Sequence, residues 1–88
     1  MHGAGRISVD FCVGGHVVAI TYEFWQDRET TDVWAVKLRD ERVIGAAQIA
    51  RPDVTSELLP YLAYREDDVA ELQERRDQFR RIDGRKVA

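Results

Sequence analysis

Two adjacent glycines, Gly14 and Gly15, stand between two stretches in which apolar and polar residues alternate. Glycine takes a positive φ without steric cost, and a Gly-Gly pair suits the two-residue turn of a β-hairpin. Closing the chain there sets Val13 opposite His16, Phe11 opposite Val18, Val9 opposite Ile20 and Ile7 opposite Tyr22. One face then collects Ile7, Val9, Phe11, Val13, Val18, Ile20, Tyr22 and Phe24, an apolar row of period two. The other face sets Arg6 against Glu23 and Ser8 against Thr21, pairs that favour the same register. A slip of one residue would turn the whole apolar row to water.

This register also decides the chemistry available to the only cysteine and the nearby histidine. Cys12 falls opposite Val17 on the polar face, whereas His16 ends the apolar row. Side chains on opposite faces of a strand pair share no ligand, so the two form neither half a metal site nor a thiolate–imidazole pair.

A polar connection, residues 26–32, leads to a second hairpin. Trp34, Val36 and Leu38 alternate with Val33, Ala35, Lys37 and Arg39 as strand three, and residues 43–50 read as strand four. A two-residue Asp40-Glu41 turn would oppose Arg39 to Arg42, and neither turn residue is the Gly or Asn such turns prefer. A four-residue loop over 39–42 is therefore expected, with Trp34 opposite Ala47 and Val36 opposite Gly45.

Pro52 ends the sheet, and residues 53–82 read as helix, with Asp53 or Thr55 as N-cap. Leu58, Leu62, Arg65, Val69, Leu72, Arg76 and Phe79 recur at steps of four and three, a helical stripe. Acids crowd residues 52–74 and bases residues 75–88, as the helix dipole favours, and Asp83-Gly84 supplies a stop. Glu66-Asp67-Asp68 resembles a fresh first turn, so a break near 64–66 is an alternative, and Pro60 fits a first turn or a kink. Unbroken over 55–82, the helix would run ~42 Å against ~27 Å for an eight-residue strand. Its Arg-rich end would then overhang the sheet and reach another molecule. The expected fold is α+β: a four-stranded antiparallel meander and one long C-terminal helix, continuous or broken. That helix would lie on the face of Val9, Phe11, Ile20, Tyr22, Trp34 and Val36. The single ββββα domain would occupy residues 6–83, after a flexible start at 1–5 and before a frayed tail at 84–88.

The 88 residues are 44% hydrophobic and 33% charged, the balance of a small globular domain with a thin core. A net charge of −3 gives no general attraction for nucleic acid or anionic membrane, and no run of 18 apolar residues suggests a span. A lone cysteine suits a reducing cytoplasm. Phosphate-loop, zinc-ligand and nucleophile-elbow motifs are absent, so no enzyme, cofactor or metal is expected. One helix covers one face, which leaves Val17, Ala19, Trp25, Val33, Ala35, Ile44 and Ala46 on an open face of interface-like composition. The expected role is a non-catalytic regulatory or inhibitory module that binds a protein partner or a second copy of itself. Its contacts would be Trp25, Val33 and Ile44 on the sheet and Arg76, Phe79 and Arg80 at the helix end. The alternative is nucleic-acid binding through that Arg-rich end.

Overall fold

A computed structural model describes residues 6–50 and 56–82. The expected start at 1–5, tail at 84–88 and helix caps at 53, 55, 83 and 84 lie outside the described residues. Four strands follow one another as an antiparallel meander: β1 (Arg6–Val13), β2 (His16–Asp27), β3 (Val33–Arg39) and β4 (Arg42–Ile49). The first hairpin has the expected register at every pair, from Arg6–Glu23 to Val13–His16. Gly14 and Gly15 both carry the positive φ that the turn requires.

The long helix is not formed. A 3-10 helix, Ser56–Tyr61, contains Pro60. An extended stretch then bridges Arg65 to Ala46, each donating its backbone N–H to the other's carbonyl at 2.9 Å. Among the described residues only α1, Val69–Glu74, is α-helical. After the turn Arg76–Gln78, the chain runs as a fifth strand, β5 (Phe79–Ile82), antiparallel to the far end of β2. The helical stripe was a coincidence of two short elements and a strand. The first segment is a six-residue 3-10 helix with Pro60 inside it, and the acids 66–68 lead into a separate helix. Phe79 completes the sheet rather than a helix face.

The sheet is therefore covered on both faces, not one. Leu59 and Leu62 of the 56–62 segment, with Tyr64, lie on Ile20, Tyr22, Phe24, Val33 and Ala35. On the other side Val69 and Leu72 of α1, with Phe79, lie on Trp25, Trp34, Val36, Leu38, Val43 and Ala46. Phe24, Val36 and Leu59 are fully buried, each removing apolar area that contributes about 1.5–3 kcal/mol.

Trp34 and Val36 thus lie on the face opposite Ile20 and Tyr22, a reversal of the expected parity. The cause is the β2–β3 connection. Asp27 and Asp32 close it: the Asp27 N–H donates to the Asp32 carbonyl, and Thr31, at φ 63°, donates to the Asp27 carbonyl. Tyr22 then faces Lys37 and Trp25 faces Trp34. The third turn also departs from expectation. Asp40 and Glu41 form the two-residue turn, at φ 52° and 68°, and Arg39 does pair with Arg42. A bulge then moves the register, so that Val36 meets Ala46 and Trp34 meets Gln48. Ile44 is the extra residue, between the Leu38–Val43 and Lys37–Gly45 pairs.

Candidate interaction surface

β2 is twelve residues long and β3 seven, and their last pair is Thr21–Leu38. Residues 16–20 of β2 therefore pair with β1 alone, and the first hairpin extends past the sheet as a two-stranded arm. A two-stranded ribbon has little stability of its own in water. From Asp10 to Val17 every residue of this arm is exposed, and Phe11, Val13 and Val17 are 42%, 61% and 73% accessible. The alternation that makes the hairpin thus also carries its apolar row beyond the 3-10 helix that covers the rest of that face.

Where the row emerges it lines an open groove of about 510 Å³ with Phe11, Val13, Val18, Ile20 and Ile44. His16, Lys37 and Arg39 complete the lining, and it contains no acid. Lys37 and Arg39 have no carboxylate partner among the described residues. An apolar floor beside cations can hold a segment that interleaves apolar and acidic side chains.

The anticipated contact residues divide. Ile44 lines the groove, placed there by its bulge. Val33 is buried under the 3-10 helix. Trp25, Arg76 and Phe79 come together, but as part of the opposite core. Trp25 is 4% exposed, its indole N–H donates to Glu23 Oε1 at 2.9 Å, and the Phe79 ring lies 5.9 Å away. The Arg76 guanidinium lies 5.0 Å from the Trp25 ring and donates to the Glu41 carbonyl at 2.8 Å. Arg80 is exposed on β5 and reaches Gln26 Oε1 at 3.1 Å. The open face anticipated for Trp25 and Val33 is thus closed on both sides. The residues sequence reasoning missed are Phe11, Val13, Val18, Lys37 and Arg39. Their signal was the mismatch between a long first hairpin and a short third strand.

Elsewhere charge is engaged in holding the fold. Asp27 is buried, accepts the N–H groups of Glu29 and Thr30, and meets the Arg75 guanidinium at 2.8 Å. These backbone donors, above all Glu29, with Arg75, hold its carboxyl below the usual range. Glu23 lies between Arg6 at 3.5 Å and Arg81 at 3.7 Å. Tyr64 donates to the Leu59 carbonyl at 2.6 Å, and burial, with Tyr22 beside it, pushes its phenol well up. Cys12 and His16 lie on opposite faces of the arm. Among the described residues no three His, Cys, Asp or Glu side chains converge as a metal ion would need, and no helix is long and apolar enough to cross a membrane. No family model, curated protein or solved structure matches the chain.

Proposed function

We propose that the protein is a small non-catalytic interaction module of the regulatory or inhibitory kind. It docks protein segments on the distal half of the β1–β2 hairpin and the groove beside it. The observation that carries this is the row of exposed Phe11 and Val13 and half-buried Val18 running into a groove rimmed by Lys37 and Arg39. Exposed apolar surface of that kind is unfavourable in water unless a partner covers it. The partner segment is apolar with interspersed carboxylates, and the exposed thiol of Cys12 suits a reducing cytoplasm. Nucleic-acid binding has less support, because Arg75, Arg76 and Arg81 already engage Asp27, Trp25 and Glu23.

The test is selection from a displayed library of random twelve-residue peptides, followed by binding to Val13→Asp. Val13 is exposed, so that variant keeps its fold. The expected result is a set of peptides rich in Asp, Glu and large apolar residues that bind the native protein and lose at least tenfold in affinity for the variant. No enrichment, or binding indifferent to Val13→Asp, would overturn the proposal.

A further inference from the structure

Among the described residues, the outer edge of β1 is the longest strand edge left open. The hydrogen-bond pattern shows which of its groups are available. Arg28 donates to the Gln78 carbonyl on the β5 side of β2, while Asp27 donates to Asp32 on the β3 side. Even-numbered residues of β2 therefore turn towards β1 and β5. Given the observed register, Ile7, Val9, Phe11 and Val13 bond β2, and Arg6, Ser8, Asp10 and Cys12 turn their N–H and C=O groups outward. Among the described residues nothing pairs with that edge.

Among the described residues the open β3 side of β2 spans only residues 16–20, and the β4 and β5 edges are guarded. On β4 the outward N–H of Val43 donates to Gln73 Oε1 at 3.0 Å, and Ala46 is bridged by Arg65. β5 is only four residues long and carries Arg80 and Arg81. β1 has eight residues, contains no proline or lysine, and supports the exposed arm. Proline, lysine and irregularity are among the usual defences of an edge, and this one lacks them, its charges being Arg6 at one end and the single Asp10.

We infer that β1 is a self-pairing edge: two copies join β1 to β1, antiparallel, about a two-fold axis at Phe11. Side chains directly opposed across such a pair lie on the same face, so the two-fold fixes even sums of residue numbers. An axis at Asp10 would oppose the two Asp10 carboxylates. An axis at Val9 would leave the exposed Val13 opposite no residue of β1. With the axis at Phe11, Val9 meets Val13, Asp10 meets Cys12, Ser8 meets Gly14, and no like charges are opposed. The two Phe11 rings then meet at a non-hydrogen-bonded position, where strands approach most closely. The outward groups of Asp10 and Cys12 bond each other's copy, and each two-stranded arm becomes half of a four-stranded sheet. Because the edge is used up by one partner, assembly stops at two copies. This deepens the interaction reading by naming a partner, and leaves the groove on the sheet face open to others.

The native protein should show about twice the 10.1 kDa chain mass in light scattering at concentrations near 100 μM. The N–H groups of Ser8, Asp10 and Cys12 should exchange with deuterium more slowly as concentration rises. Asp10→Pro removes an outward N–H without touching the β1–β2 ladder, and should give the single-chain mass with an unchanged circular dichroism spectrum. A bifunctional maleimide of about 8–10 Å should join two Cys12 thiols, which would lie diagonally across the pair. A single-chain mass at every concentration overturns the pairing. So does a dimer that survives Asp10→Pro, or exchange at those three amides that ignores concentration. The first outcome, combined with peptides that still bind in a Val13-dependent way, removes the self-pairing and leaves the interaction module standing.

Discussion

At the scale of single residues, two phenylalanines on the same face of the first hairpin show how cover, not composition, sets energetic weight. Phe24 is fully buried between the 3-10 segment and Ile82 of β5, while Phe11 is 42% exposed on the arm. Phe24→Ala should cost about 3–5 kcal/mol, the usual loss for a buried phenylalanine. Phe11→Ala should cost only about 1–2 kcal/mol, since much of its ring already faces water. Urea unfolding of dilute single chains measures both, and equal losses would show that the arm is packed after all. Sequence alone would have assigned Phe11 the larger value, because it stands in the same alternating row and nothing local says where the cover ends. Asp27 has a different signature. Its folded carboxyl titrates below the unfolded one, so the stability it contributes is complete above the unfolded value, near pH 3.9. That contribution disappears as pH falls through the lower, folded value. The unfolding midpoint of the native protein should fall more steeply below about pH 4 than that of Asp27→Asn. Parallel curves would mean that Asp27 is not among the groups linking folding to protons.

At the scale of elements, the legible part was wherever two independent signals agreed. Gly14-Gly15, the apolar row and the Arg6–Glu23 pair all specify one register, and that register is the one found. The Asp40-Glu41 turn was legible in position but not in type, because its residues contradict its geometry. Both take the left-handed φ that Asn and Gly tolerate best. Arg76 holds the turn from outside by donating to the Glu41 carbonyl across 35 residues, a contact no local pattern announces. The conflict leaves stability to be recovered. Asp40→Asn with Glu41→Gly should raise stability by about 1 kcal/mol, read as a higher urea midpoint with an unchanged slope. A lower midpoint would place the Glu41 side chain, 3.9 Å from Arg76, above the backbone strain in importance. The helix was misread for a related reason. Steps of three and four joined Leu62, Val69, Leu72 and Phe79 into a stripe, although their partners lie on different faces of the sheet. Of the anticipated contact residues, Ile44 lines the groove, but beside Phe11 and Ile20 rather than on the face expected for it, and the bulge that places it there had no local signal.

At the scale of the whole molecule, β5 and β1 behave as one interrupted strand. Ile82 sits opposite Phe24 and Arg6 opposite Glu23, so the two segments occupy consecutive positions along the same edge of β2. The four residues of β5 and the eight of β1 together match the twelve of β2. The alternation runs through the junction. Ile82 shares a face with Phe24, Arg6 lies on the other face with Glu23, and Ile7 returns to the first with Tyr22. The backbone pattern agrees as well, since Ile82 and Ile7 both turn their peptide groups towards even-numbered residues of β2. Neither β5 nor its place in the sheet could be read from sequence, because its pairings join residues more than fifty positions apart. The geometry nevertheless predicts that a peptide bond from Ile82 to Arg6 introduces no strain. A permuted chain that starts at Gly15, runs to Ile82, continues directly into Arg6 and ends at Gly14 should therefore fold. It gives up the local closure of the first hairpin and gains a covalent strand along the whole of β2, and loop-closure costs change slowly with length. Its amide spectrum should keep the native shifts for Phe24, Trp25, Tyr22 and Ala35, with unfolding still cooperative. Collapse of those resonances to random-coil positions would show that β5 and β1 do not share a line along β2.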